Sequence, residues 1–303
     1  MYRRILIPLD GSKTAETILP YARYLAGKLK IAIELLEVVD IMEARRSVSA
    51  DDAMLMQRLA ADDVRRSGEY LKAVSASFAG APVTTTVRQG PAAEIILETA
   101  ANEKDTLVAM ASHGRSGMNR FLLGSVAEKV LRGGGTPLLL VRATQPPPAQ
   151  SELALKSVIV PLDGSDMAES VLSVVEDLAR QLELALILFR AYALPYGAYT
   201  AGEGFYDPVN LEAFLRRLEQ EARDYLERKT GELKRKGLAD VSYVLSEGLS
   251  ADQIIQFARA TPNNLIAMCS HGYSGVKRWV LGSVTEIVAR HSGDPVLVLR
   301  RSD

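Results

Sequence analysis

The chain repeats itself, and that repeat fixes the number and size of the units it can fold into. Residues 3–12 read RRILIPLDGS and residues 156–165 read KSVIVPLDGS, an offset of 153. Residues 111–142 read ASHGRSGMNRFLLGSVAEKVLRGGGTPLLLVR, and residues 269–300 read CSHGYSGVKRWVLGSVTEIVARHSGDPVLVLR, an offset of 158. The repeat covers nearly all 303 residues, with a net insertion of five in the middle of the second copy. A period this long means duplicated domains of about 150 residues rather than a solenoid of short units. Between the copies stands ATQPPPAQSELAL (143–155), whose consecutive prolines favour an extended segment without backbone donors. The expected domains are therefore 1–143 and 156–303, joined by a Pro-rich linker at 144–155.

Each copy alternates short apolar runs with helical patterns. In the first copy, strands are expected at Ile5–Leu9, Ile31–Val39, Pro82–Arg88, Thr106–Ala111 and Pro137–Val141. Helices are expected at Thr14–Leu29, Asp51–Phe78, Ala92–Ala101 and Ser125–Leu131. In the second copy the strands fall near Val158–Leu162, Ala185–Phe189, Val241–Leu245, Leu265–Met268 and Val296–Leu299. The charged, periodic run Arg216–Lys236 reads as a solvated helix. Nearly continuous apolar strands alternating with helices imply an α/β fold, with an open, doubly wound parallel sheet of five strands in each copy. Ligands of such sheets bind outside the carboxyl ends of the strands, where the strand order reverses. That rule selects the loops after strands one and four, the two stretches in which the copies agree best.

Composition narrows the partners. The chain is 48% hydrophobic and 24% charged, with a net charge of -1, so it offers no global attraction for nucleic acid or an anionic membrane. Its single cysteine, Cys269, rules out an internal disulfide framework and fits a reducing cytoplasm. The start, MYRRILIPLDGS, has no signal-peptide core, and no membrane span is expected. Three histidines, His113, His271 and His291, lack neighbours with ligand spacing, so no metal site is expected.

The loop after strand four reads Ser112-His113-Gly114, nine residues, then Gly124-Ser125 at a helix start; the second copy has Ser270-His271-Gly272, nine residues, then Gly282-Ser283. Phosphate needs donors that approach closely, and glycine removes the blocking side chain. A helix start supplies unpaired N–H groups and a positive dipole end. Ser125 and Ser283 are placed to cap the helix and to meet a phosphate. Neither a Walker loop nor GxGxxG is present.

This spacing resembles the ATP-binding signature of the universal stress protein family: glycine, two residues, glycine, nine residues, then Gly-Ser or Gly-Thr. The PLDGS turns, GPAAEII (90–96) and GLSADQII (248–255), and the closing strands PLLLVR and PVLVLR extend the resemblance over both copies. The signature's first glycine is Ala111 in one copy and Cys269 in the other.

The resemblance implies ATP, possibly with Mg2+, as the ligand. It assigns Asp10 and Asp163, with Pro8, Leu9, Pro161 and Leu162 beside them, to the nucleoside. The backbone at Val38 and Ala191 would meet adenine. Met110, Ala111, Gly114, Arg115, Gly124, Ser125 and Val126 would form the first phosphate cradle. Met268, Gly272, Gly282, Ser283 and Val284 would form the second. Arg115 is replaced by Tyr273 in the second copy, which leads to the expectation that the first copy holds ATP more tightly. The implied role is regulation under stress without efficient catalysis. A weak ATPase or nucleotidyl transferase and a non-nucleotide scaffold are the alternatives. The aromatic insertion at 192–210 suits either an adenine cover or a partner surface. Relatives with one domain dimerise through the last strand, so Leu138–Val141 and Val296–Leu299 are expected to pair as an internal pseudo-dimer, with a homodimer of whole chains beyond that.

Overall fold

A computed structural model describes residues 2–40, 53–78, 80–113, 123–133, 135–142, 153–193, 208–270 and 281–300. Ten strands and their helices fall into two compact units. The first holds β1 (Arg4–Leu9), a 3-10 turn (Ala15–Ile18), α1 (Leu19–Leu29), β2 (Ala32–Val39), α2 (Ala53–Ser75) and β3 (Val83–Gln89). It continues with α3 (Ala92–Ala101), β4 (Thr106–Ala111), α4 (Ser125–Gly133) and β5 (Leu138–Val141). The second unit holds β6 (Ser157–Pro161), α5 (Asp166–Glu169), α6 (Leu172–Leu182), β7 (Ala185–Tyr192) and α7 (Pro208–Arg235). It continues with β8 (Val241–Glu247), α8 (Ser250–Ala260), β9 (Asn264–Cys269) and α9 (Ser283–His291). The final strand, β10 (Val296–Leu299), belongs to the first unit.

Strand order in the first unit is β3-β2-β1-β4-β5-β10, and in the second β9-β6-β7-β8. Neighbours are parallel except β10, which runs antiparallel to β5 with Leu297 opposite Leu139. This is the doubly wound arrangement, with the order reversing between β1 and β4 and again between β6 and β9. Ile5, Leu6 and Ile7 on consecutive positions of β1 are fully buried, so both faces of the sheet are covered. The Thr-rich β3, VTTTVRQ, lies at the edge, with none of its residues fully buried, as an edge strand tolerates.

Two expectations change. The helix expected over Thr14–Leu29 begins as a 3-10 turn and becomes α-helical only at Leu19. Pro20, in the first turn of α1, cannot donate to an i−4 carbonyl, so the segment ahead of it tightens into i→i+3 bonding. The run at 216–236 is not solvated all round. Its helix α7 buries Ala222, Tyr225, Leu226 and Leu233 along one stripe, while its other face is laced by pairs such as Arg217–Glu221 at 2.9 Å.

The copies anchor their sheets differently. In the first unit Arg4 is buried in an ion pair with Glu34 and also donates to Thr106 Oγ1 at 3.0 Å and the Thr99 carbonyl at 2.9 Å. In the second unit Asn264 stands at the place of Thr106. Its amide donates to the carbonyls of Ala258 at 2.9 Å and Thr261 at 2.7 Å and to Asp294 at 2.9 Å. Among the described residues no helix is long and apolar enough to cross a membrane.

Candidate functional site

Where the strand order reverses, the strands part. The β1–β4 ladder ends at Leu6 opposite Val108, although the strands continue to Leu9 and Ala111. The β6–β9 ladder ends likewise at Ile159 opposite Ile266. On the other side β2 outlasts β1: pairing with β1 stops at Glu37, while pairing with β3 runs on to Val39. In the second unit, pairing of β7 with β6 stops at Phe189 and pairing with β8 reaches Tyr192. Each unit therefore has a crevice at the carboxyl end of its sheet. Its described walls are the turn after the first strand, the overhanging end of the second and the helix start that follows the fourth.

The turn is built twice from the same bonds. Ser12 donates its backbone N–H (3.0 Å) and its hydroxyl (2.6 Å) to Asp10 Oδ1, and its Oγ accepts from the Ala15 N–H at 3.1 Å. Ser165 does the same with Asp163 Oδ1 at 2.9 and 2.6 Å and with the Ala168 N–H at 3.1 Å. Between aspartate and serine, Gly11 (φ 77) and Gly164 (φ 90) adopt the left-handed backbone that only glycine holds without strain. One carboxylate oxygen of each aspartate thus serves the turn, and the serine behind it caps the following helical turn.

The opposite wall is also duplicated. The Gly124 N–H donates to the Ser112 carbonyl at 2.8 Å, and the Gly282 N–H to the Ser270 carbonyl at 2.7 Å. A Cβ on Gly124 would lie 3.1 Å from that Ser112 oxygen, closer than a side chain tolerates without a shift. These bonds hold the starts of α4 and α9 beside the ends of β4 and β9. The Gly124 and Gly282 carbonyls accept from Glu128 and Glu286 at 2.8 and 2.9 Å, so the glycines occupy the cap positions. The capping role expected of Ser125 and Ser283 therefore falls to glycine, and at Gly282 no side chain caps the helix. Ser125 and Ser283 are exposed first residues of their helices, followed by half-buried Val126 and Val284. The first-turn N–H groups after each glycine have no helical partner and lie at the positive end of the dipole.

The other expected residues sort by exposure. Asp10, Pro8, Pro161, Val38 and Ala191 are partly exposed at the crevice, and Asp163 is exposed. Leu9, Leu162, Met110, Ala111, Met268 and Cys269 are buried, so their backbones rather than their side chains face any ligand. Gly114, Arg115 and Gly272 lie outside the described residues, as do His271, Tyr273 and positions 194–207 of the aromatic insertion. The His113 ring accepts from or donates to Ser112 Oγ at 3.1 Å, and burial, reinforced by the Arg142 charge, holds its pKa below the ordinary 6.5. Among the described residues no group of three His, Cys, Asp or Glu could hold a metal ion.

Other side chains at the crevice carried no motif. Tyr70 on α2 donates to Glu16 at 3.3 Å, and Tyr225 on α7 donates to Glu169 at 3.0 Å. Burial raises both phenol pKa values, with Glu16 and Glu169 adding to the shift, so both stay donors. Next to them stand Glu37 in the first unit and Arg190 in the second, at the same place in the strand register. An offset of 153, already set by the PLDGS turns, pairs Glu37 with Arg190 directly in the sequence.

A duplicated open α/β sheet with glycine-held helix starts at its switch points defines a tandem architecture of two doubly wound domains. Residues 1–142 and 154–300 each match the universal stress protein family, and the chain belongs to that family. It is 28% identical over 142 residues to universal stress protein MJ0531 of Methanocaldococcus jannaschii, covering 47% of this chain and 83% of that protein. It is 25% identical to universal stress protein Slr1230 of Synechocystis, covering 98% of this chain and all (100%) of the relative. A crystal structure of a universal stress protein from Archaeoglobus fulgidus shares the fold, with a TM-score of 0.70, 22% identity and full (100%) coverage of both chains.

Proposed function

We propose that the chain binds an adenine nucleotide, ATP with its Mg2+, at the switch-point crevice of each copy, and acts as a cytoplasmic stress-response regulator without efficient catalysis. The observation that carries the reading is the repeated bond from Gly124 to Ser112 and from Gly282 to Ser270. It brings a helix start, whose first-turn N–H groups have no partner within the helix, against the gap between parting strands in both copies. A triphosphate suits those donors, Asp10 and Asp163 suit ribose hydroxyls, and the overhanging backbone at Val38 and Ala191 suits adenine. Among the described residues no group of three His, Cys, Asp or Glu is placed to hold a metal ion, and in this reading Mg2+ comes with the phosphates. We also propose domain limits at 1–143 and 156–303, which rest on the internal repeat and the Pro-rich linker.

The test is direct. Protein purified without added nucleotide is denatured, and the released ligands are separated by anion exchange with mass detection. Calorimetric titration of stripped protein with Mg-ATP follows. Bound ATP or ADP, lost in part in Gly124→Val and in Gly282→Val and wholly in the double variant, is the expected result. No released nucleotide and no heat at millimolar ATP would leave a scaffold role in its place.

A further inference from the structure

The two crevices are copies in backbone but opposites in charge at one position. The register places Leu36 opposite Pro8 and Phe189 opposite Pro161, so the next residues, Glu37 and Arg190, are equivalent. Each directly precedes the overhanging strand end, Val38 or Ala191. Glu37 is buried, with 6% of its surface exposed. Its charge and that of Asp10 both act on Tyr70, which is also hydrogen-bonded to Glu16. Three carboxylates thus act on one tyrosine in the first crevice, Glu16 through a hydrogen bond and Glu37 and Asp10 through their charges. In the second, the matching tyrosine, Tyr225, is acted on by Glu169, Asp163 and Arg190, so one carboxylate has become a cation. The Arg190 guanidinium stacks over the Tyr225 ring at 4.9 Å from its centroid. It also lies against the Asp163-Gly164 turn, where a Cβ on Gly164 would be 3.3 Å from Nη1. The guanidinium is therefore held by a ring on one side and by the crevice's own turn on the other, at a fixed place on the rim.

From this, and resting on the nucleotide reading above, we infer that the two crevices discriminate by ligand charge. Arg190 makes the second the tighter site for a polyphosphate, and Glu37 makes the first the weaker. Arg190 and Glu37 stand at the nucleoside end, beside the turn and the strand ends, so each acts on the phosphates through its charge, which a polyphosphate feels far more than neutral adenosine does. This order is the reverse of the one expected from Arg115 and Tyr273.

Single-crevice proteins separate the sites: Gly124→Val leaves the second crevice to be read, and Gly282→Val leaves the first. Each is titrated with ATP and with adenosine, which lacks phosphate. In the second crevice, Arg190→Gln is expected to weaken ATP about fivefold with a smaller effect on adenosine, and Arg190→Lys restores most of the ATP loss. In the first, Glu37→Gln is expected to strengthen ATP about fivefold, again with a smaller effect on adenosine. A second measure leaves both charges intact: ATP affinity in the second crevice falls more steeply with sodium chloride than in the first. Chains that bind ATP with equal salt slopes, or variants in which adenosine and ATP change by the same factor, overturn the inference and leave the nucleotide reading standing. Chains that bind neither ATP nor adenosine overturn both.

Discussion

At the scale of single residues, Asp10 carries two roles. Its Oδ1 holds the Ser12 turn, and the nucleotide reading gives the carboxylate a ribose to meet. The two roles separate by substitution. Asp10→Asn keeps an oxygen acceptor for Ser12, so it should unfold at nearly the wild-type temperature. Asp10→Ala loses the turn and should cost about 1 kcal/mol in denaturant unfolding. If both weaken ATP while only the alanine variant is destabilised, the carboxylate meets the ligand as well as the turn. His113 gives a pH signature. Its pKa is lower in the folded chain than in the unfolded one, so the unfolded state takes up the proton first as pH falls. Its share of stability is complete above the ordinary 6.5 and is lost as pH falls through the lower folded value. His113→Gln should remove that part of the acid destabilisation, seen as a flatter dependence of melting temperature on pH below neutrality. Glu37 and Arg190 each interrupt an apolar run, and the PLDGS offset already pairs them in the sequence; what the register adds is their place beside the crevice.

Elements were legible where periodicity and punctuation agreed. The expected Ala92–Ala101 and Thr106–Ala111 appear with the same limits as α3 and β4, because Gly90-Pro91 and the apolar run mark their ends. The break before Leu19 needed Pro20 to be weighed against a continuous apolar stripe, and the stripe masked it. The buried face of α7 was hidden by the number of charges on its other side, although Ala222, Tyr225, Leu226 and Leu233 keep a helical spacing. The helix ends hold a feature that propensity does not reveal. Four non-glycine residues adopt positive φ among the described residues, and they form two equivalent pairs: Lys30 with Glu183, and Asp105 with Asn263. Lys30 and Glu183 end α1 and α6 at φ 55 and 56, the place where glycine is usual. A left-handed residue with a Cβ costs about 1–2 kcal/mol, part of which glycine returns as unfolded-state entropy. Glu183→Gly is therefore expected to raise unfolding free energy by about 0.5 kcal/mol, with an unchanged denaturant slope. A loss of stability would mean that the glutamate side chain contributes more than its backbone costs.

At the scale of the whole molecule, sequence order and folded order diverge at the last strand. The repeat assigns Val296–Leu299 to the second copy, yet these residues pair antiparallel with Leu138–Leu140 and cluster with the first unit. The pairing was expected from the resemblance to one-domain relatives, and both partners, PLLLVR and PVLVLR, are apolar strands. Pairing gives β5 a neighbour on the side away from β4. Without it, four consecutive buried residues, Leu138 to Val141, would form an unpaired apolar edge, which seeks another strand. A chain of residues 1–142 keeps β1 to β5 but loses β10, so it should replace the missing partner with a second copy of β5. Light scattering after size exclusion is expected to show a dimer for residues 1–142. Leu139→Lys, which puts a charge on that edge, should return it to a monomer of similar helix content. A monomeric 1–142 that melts cooperatively near the full chain's temperature would mean that β10 covers the edge without being needed to close it.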